Sequence, residues 1–467
     1  MLILANALQP IISFYLVITI GRKRGVDGLG TYSTIFNYVA IFQIVAAFGL
    51  RTLLTRDIAQ NKENTHRYFV ASSFISVLFA IISAGLMIFI VSIISNEALI
   101  IRGAIYISLS LIASALADAY EGIISGYEKL SQIGYIWVAE NFLRVGISLY
   151  LIYQGFGIIA LVWVYVIVRY LKSGYYIYYI NRNFITSTGR FDWIITKNLI
   201  RQARTFALIV VCVTIYWKAD IIMLEAMRSG EEVGFYSAAY RFLLFCLVLV
   251  DSFVNSLFPV ISNYFKSCES NFEVAIKKSL QLLILTTVPI AVGLSLQAEK
   301  IIVLFYGTNF IQSVNVLKIL IWTIIPYSIS QVFAYALLAS NNQRIDLTVN
   351  ALSMISNILL NLLLIPKFGF MGATVATLIS IHIYVALQLP FVLQKLIKIQ
   401  LKVVLGGLVK IIAAALVMAY VIFLLRKINF VAVLPLSFLI YSISLFAFSV
   451  ISKDDKEFIF RLMRRTV

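Results

Sequence analysis

A chain of 467 residues with 61% apolar and 13% charged side chains and a net charge of +17 is too greasy for a water-soluble domain, in which about a quarter of the residues are charged. Apolar runs of some twenty residues recur along its length, each able to cross a bilayer core of roughly 30 Å as a helix, and the period-2 alternation of a membrane barrel is missing. The sequence therefore predicts an all-α polytopic membrane protein with about fourteen transmembrane helices, at 2–20, 32–54, 69–94, 99–118, 132–153, 157–180, 199–220, 234–260, 275–297, 314–339, 345–365, 370–393, 401–425 and 429–451.

The first run starts almost at Met1, is followed by Arg22, Lys23 and Arg24, and lacks a small-x-small cleavage site. It reads as a retained helix, not a signal peptide. Asn6, Gln9, Pro10 and Ser13 recur on it at helical spacing. Such a stripe must face a neighbour or a cavity, because amides in hydrocarbon lose their water partners. The second helix is expected to follow a turn at Gly28-Leu29-Gly30 and to run from Tyr32 to Arg51 and Arg56.

Two echoes suggest a repeat. Gly30-Thr31-Tyr32-Ser33 returns 204 residues later as Gly234-Phe235-Tyr236-Ser237, and Phe156-Gly157 returns 212 residues later as Phe368-Gly369. Six-helix lobes at 1–180 and 199–395 follow, sharing one orientation about an axis along the membrane normal. Residues 396–467 add two helices and a basic tail. Between the lobes, 181–198 (NRNFITSTGRFDWIITKN) has Phe191, Trp193 and Ile194 among basic residues, which predicts a linker helix lying in the cytoplasmic interface. The tail 453–467 reads similarly.

With both termini inside, cytoplasmic segments hold 24 Lys and Arg against 11 outside, which orients the chain by the positive-inside rule. The basic excess is then topology and attraction to anionic lipid, so no nucleic-acid partner is called for. Cys212, Cys246 and Cys268 offer neither a disulfide framework nor metal spacing, and His66 and His382 are the only histidines. No metal, cofactor or catalytic centre is expected.

Charges inside spans demand a reason, each costing at least about 2.5–3.5 kcal/mol at the bilayer centre. Glu140 and Arg144, four apart, are neighbours on one helix face and are expected either to pair and order the bundle or to serve the cavity. Lys218 and Asp220 end the seventh run, where Lys218 can snorkel. On the eighth, Arg241, Ser252 and Asn255 share a stripe, with Ser237 beside them and Asp251 nearby. Arg241 there either lines a cavity or pairs with Asp220 or Asp251. Pro259, Pro289 and Pro326 are candidate flex points.

The most organised stretch is 350–380, NALSMISNILLNLLLIPKFGFMGATVATLIS. Asn350, Ser353, Asn357 and Asn361 line one face of a helix; past a hinge at 365–369 that includes Pro366, Gly372, Ala373, Ala376, Thr377 and Ser380 form a small-residue face. The Asn amides can bond across that contact or line a wet cavity. The stretch resembles the N-x-x-L-N-x-x-L-I-P-x-x-G-x-x-G-A-x-x-A-T segment of the Wzx-type polysaccharide and O-antigen flippases. These belong to the MATE-like multidrug/oligosaccharidyl-lipid/polysaccharide (MOP) exporter superfamily. A second match lies at 216–242, YWKADIIMLEAMRSGEEVGFYSAAYRF, where Asp220, Met223, Leu224, Gly230, Val233, Gly234, Tyr236, Ala239, Tyr240 and Arg241 fit the family pattern by position. The Gly28-Leu29-Gly30-Thr31-Tyr32 stretch is similar to its first outer hairpin. One departure is the start of the chain, which lacks the family's short cytoplasmic lead.

The resemblance implies a flippase moving a glycan on a polyprenyl (pyro)phosphate carrier from the inner to the outer leaflet by alternating access, in the cytoplasmic membrane. It implies a monomer working beside glycan-polymerising or transferring machinery. Arg241, Lys218, Arg144 and Arg51 would attract the phosphate and Asn6, Gln9 and Asn255 would contact sugar, with Asp220, Asp251, Glu140, Asn357, Asn361 and Pro366 in structural or gating roles. A drug/cation antiporter of the same superfamily is the alternative; it would want unpaired acids in the cavity, and helices 1 and 2 carry none over 2–20 and 32–54. A membrane enzyme of envelope synthesis would usually need a larger outer loop than this chain offers.

Overall fold

Helix is the form in which these runs can lie in hydrocarbon, because every backbone N–H and C=O is then satisfied within its own segment. The computed structural model describes the backbone of residues 2–185, 191–267, 269–340, 342–396, 401–425, 428 and 430–448. Side chains 2–9, 204–213, 259–260, 266–267, 269–271, 343, 395, 401–408 and 430–431 lie outside that description. The expectations for Asn6, Gln9, Cys212, Cys268, Pro259 and the tail 453–467 therefore fall outside the described residues.

Nine helical stretches are long and apolar enough to cross a membrane, and two shorter apolar helices span Val409–Leu424 and Ala432–Ala447. Two of the nine are bent hairpins, at Gly25 (φ 72°) and Gly369 (φ 55°). With Trp193–Met227, and with each hairpin counted as two arms, the described residues thus hold fourteen helical spans, one for each predicted run. Only glycine takes these left-handed angles without strain. The first bend therefore falls at Gly25, not at the expected Gly28-Leu29-Gly30 turn, which is helical.

By contact the chain divides into two units, 1–237 and 238–467. The first holds α1 (Leu2–Ala47), α2 (Leu50–Gln60), α3 (Thr65–Ile94), α4 (Ala98–Ser108), α5 (Ser110–Gly126), α6 (Leu130–Tyr153), α7 (Ile158–Asn183) and α8 (Trp193–Met227). Here α5 is central, packed on α1, α2, α3 and α7, while α1 also meets α6 and α8. The sequence halves put the seventh membrane helix, α8, with the second lobe; it packs instead on α1, α2 and α3. One reason is local: Glu225 of α8 accepts from Tyr38 Oη of α1 (3.2 Å), while Asp220 accepts from Tyr236 Oη of the helix that follows (2.9 Å). The linker also differs. Asp192 caps α8 directly, accepting from Ile194 and Ile195 N–H, so Trp193 opens a membrane-length helix. Phe191, Trp193 and Ile194 stand exposed there, and residues 186–190 are not described.

From α9 (Gly230–Ser267), which straddles the boundary, the second unit continues through α10 (Glu269–Leu296), α11 (Ala298–Tyr306), α12 (Ser313–Leu320), α13 (Ile324–Ala339), the hairpin α14 (Gln343–Lys395), α15 (Leu401–Leu424) and α16 (Phe430–Ala447). Here α14 packs on α12 and α13, and α10 on α13 and α15. Leu285, Ile411, Met418, Val433 and Tyr441 join α10, α15 and α16 in one apolar cluster.

The echo of Gly30 and Gly234 has a structural counterpart. A Cβ at Gly30 would stand 1.9 Å from the carbonyl oxygen of Gly230, and one at Gly234 2.2 Å from that of Val26. Residues 26 and 30 thus meet 230 and 234 reciprocally, at the same offset of 204. Bare backbones here lie in contact, which no larger residue permits. Gly30→Ala and Gly234→Ala should each destabilise the protein by about 1–3 kcal/mol through overpacking. A lower thermal midpoint and membrane abundance would show it, while Gly85→Ala, whose Cβ meets nothing within 4 Å, leaves both unchanged or raised.

Candidate functional site

The charges inside the first unit are mostly consumed by one another. Glu121 of α5 is 1% exposed and receives Arg51 of α2 (2.9 Å), Lys172 of α7 (2.9 Å), the Trp137 indole N–H of α6 (2.6 Å) and Tyr176 Oη (3.0 Å). Lys172 bridges on to Glu140 (3.0 Å), which also holds Arg169 (3.2 Å). Arg169 in turn donates to Tyr165 Oη (2.9 Å), and Tyr165 to Gln43 (3.4 Å). This corrects the expected Glu140–Arg144 pair. Four residues apart on one helix, the two side chains turn to different neighbours, because α7 offers Glu140 two cations.

Arg144 forms no ion pair: it donates to Ser13 Oγ (3.0 Å) and Asn141 Oδ1 (2.9 Å), and Glu140 attracts it only at longer range. The polar stripe of the first helix is thus joined at Ser13 to a half-buried guanidinium on α6. Arg51 is 41% exposed, lies over the Trp137 ring at 5.4 Å and is bound to Glu121. Lys218 is half-buried on α8, and Asp220 is buried against Tyr236.

In the second unit, Asp251 accepts from Tyr327 Oη (2.5 Å) and Asn255 from Tyr335 Oη (2.5 Å), which ties α9 to α13. Asp251 therefore does not pair with Arg241. Among the described residues of that unit, Lys277–Glu273 is the ion pair present, and half-buried Arg241 forms none. Asn357 and Asn361 are fully buried: Asn357 Nδ2 donates to Ser380 Oγ (3.1 Å) and Asn361 Nδ2 to Asn357 Oδ1 (3.0 Å), joining the two arms of α14. Pro366 lies just before the Gly369 bend, where Gly372 must be small because its Cβ would stand 2.3 Å from Leu364 O.

Sequence reasoning passed over Glu121, Arg169 and Lys172, assigning the two cations to the cytoplasm. The signal was present as matched spacings: Asp118 and Glu121 three apart, Arg169 and Lys172 three apart, two faces of opposite sign. Glu225 and Asp346 were likewise unremarked. Among the described residues no cluster of His, Cys, Asp and Glu is arranged to hold a metal. The network gives a direct expectation. Glu121→Gln leaves Arg51 without a carboxylate and Lys172 with Glu140 alone and should cost about 3–5 kcal/mol, whereas Arg51→Gln, at the exposed rim, costs less. Thermal unfolding of both purified variants measures the order.

A family model described as polysaccharide biosynthesis protein matches residues 1–265, and one for the lipid II flippase MurJ matches 143–444. Two proteins of Haloferax volcanii align: the probable low-salt glycan biosynthesis flippase Agl15, at 21% identity over 83% of this chain and 81% of its own, and the probable flippase AglR, at 23% over 80% and 79%. Among solved structures, a lipid II flippase MurJ in an inward closed conformation superposes with a TM-score of 0.80 at 18% identity, covering 94% of this chain and 97% of its own. An inward-facing MATE multidrug transporter of the MOP superfamily gives 0.68 at 13% identity, over 82% and 93%. The fold is the MATE-like fold those two share. On these matches the chain belongs to the polysaccharide biosynthesis protein family, as a Wzx-like member of the MOP exporter superfamily.

Proposed function

We propose that this protein is a flippase that carries a glycan on a polyprenyl (pyro)phosphate from the inner to the outer leaflet for cell-surface glycan synthesis. The observation that carries the reading is a guanidinium within a membrane helix, Arg144, that hydrogen-bonds Ser13 and Asn141 and forms no ion pair, while the neighbouring cations Arg169 and Lys172 are paired with carboxylates. A charge left positive in hydrocarbon is costly unless an anion visits it, and a lipid phosphate is such an anion. Glycan hydroxyls need polar partners for the same reason, and the polyprenyl tail stays in lipid. Family membership and the names of the Haloferax relatives support this reading.

Arg144, Arg241 and Lys218 are the phosphate-attracting residues in this mechanism; Arg51 is bound to Glu121 and serves the scaffold. Asn255, and Asn6 and Gln9 of the first helix, contact sugar. Asp220, Asp251, Glu140, Asn357, Asn361 and Pro366 hold or hinge the helices, and transport proceeds by alternating access. The protein works as a monomer without catalysing a reaction. It sits in the cytoplasmic membrane with both termini inside, next to the machinery that polymerises or transfers the glycan.

Deleting the gene should trap lipid-linked glycan in the inner leaflet; unchanged glycan export together with new drug sensitivity would instead identify an antiporter. Arg144→Gln and Arg241→Gln should each lower glycan export about tenfold or more at normal membrane abundance, the loss expected for one charge-assisted hydrogen bond of ~1.5–3 kcal/mol. Normal export by both variants would remove these residues from the mechanism.

A further inference from the structure

Both units set an arginine against a tyrosine, and they complete the pair differently. In the first, Arg169 donates to Tyr165 Oη (2.9 Å), Glu140 answers the guanidinium at 3.2 Å, and the phenol donates to Gln43 Oε1 (3.4 Å). Donors and acceptors there are matched. In the second, Tyr306 at the end of α11 packs on α9 next to Arg241. Its ring stands edge-on to Phe242, the residue after Arg241, with centroids 6.2 Å apart, and lies against Phe310 at 5.0 Å. Tyr306 is 3% exposed, and among the described residues its Oη has no hydrogen-bond partner. Arg241 is the charged group that acts on this phenol, and it forms no ion pair among the described residues.

A phenol oxygen shut away without a partner costs free energy, and in a folded protein such a group calls for a reason. Packing does not supply one, because a phenylalanine ring would fill the same slot between Phe242 and Phe310 without that cost. What the pair lacks is an acceptor. Arg241 offers N–H donors in a planar fork and Tyr306 one O–H, and the guanidinium charge favours an anion over a neutral acceptor. Phosphate, with several oxygens set tetrahedrally, suits a fork together with a separate donor. Arg241 is half-buried, so an arriving group can reach it. The ring contacts hold the phenol in place beforehand, which reduces the ordering that binding requires.

We propose that Arg241 and Tyr306 form a two-point binding site for a phosphate group, completed by the Tyr306 hydroxyl. The guanidinium draws the group in from its open side, and Tyr306 Oη donates a hydrogen bond to one of its oxygens. This rests on the reading of Arg241 as a phosphate-attracting residue and adds the residue that holds the phosphate there. The same chemistry serves a polyprenyl phosphate, a phospholipid headgroup or free phosphate.

The purified full chain in an uncharged detergent is unfolded by heat during titration with farnesyl phosphate, phosphatidylglycerol or inorganic phosphate, with farnesol as the control that lacks the anion. The midpoint rises saturably with farnesyl phosphate and not with farnesol. Tyr306→Phe, which removes one oxygen, raises the half-saturating concentration about tenfold, the loss expected for one hydrogen bond to a charged group. Arg241→Gln raises it at least as far. Without ligand, Tyr306→Phe leaves the midpoint unchanged or higher, because the oxygen it removes has no partner; a structural role would lower it. A stronger response to phosphatidylglycerol, weakened by the same variants, identifies a phospholipid headgroup as the occupant, and one to inorganic phosphate alone identifies a free anion. Tyr306→Phe responding like the wild type, a ligand-free midpoint lowered by that substitution, or a wild type indifferent to all three probes would overturn the proposal. If Arg241→Gln fails to fold, Tyr306→Phe carries the test. The flippase reading falls on a different result, unchanged glycan export after deletion of the gene, so the two failures are told apart.

Discussion

Every charge that this chain carries into its helices has to be answered there, because hydrocarbon supplies neither counter-ion nor water. The first unit is built around that demand. One carboxylate, Glu121, is shared among α2, α5, α6 and α7 through Arg51, Trp137, Lys172 and Tyr176, and the chain of bonds runs on to Glu140, Arg169 and Tyr165. Removing Glu121, Glu140, Arg169 or Lys172 leaves a partner charge poorly matched away from water, so the network holds four helices in one arrangement more by the cost of breaking it than by its net strength.

Packing supplies the complementary constraint. Apolar side chains gain little from leaving lipid for a neighbouring helix, so close backbone approach and polar contacts have to hold the bundle. Gly122 and Gly126 of α5 press on Arg51, Thr55 and Ile58 of α2, and Gly30 and Gly234 bring backbones into contact. The arms of α14 use the same device. A small-residue face admits Asn357 and Asn361 close enough to bond Ser380 and each other.

Against this background the groups left without a countercharge stand out. Arg144 rests on a hydroxyl and an amide, and Arg241 forms no ion pair among the described residues and lies beside a phenol without a partner. A fold shared with MurJ and MATE structures at 18% and 13% identity leaves cargo open, since one fold hosts many functions. It is these two cations that give the cargo and phosphate-site proposals their chemistry.

Much of this was legible in the sequence alone. Fourteen helices follow from apolar runs of membrane length, because the bilayer imposes one length and one backbone solution on each. The family follows from motifs at 216–242 and 350–380, whose glycines, prolines and amides occupy positions that a helical hairpin constrains. What the sequence could not decide is which charges meet. Glu140 and Arg144 are neighbours by spacing, yet α7 comes close enough to claim Glu140 through Arg169 and Lys172. Gly28 to Gly30 look like a turn by composition, yet the chain bends at Gly25 and spends Gly30 on contact with Gly230. Spacing along one helix fixes a direction in space; the partner standing in that direction belongs to another helix, and only tertiary packing brings it there.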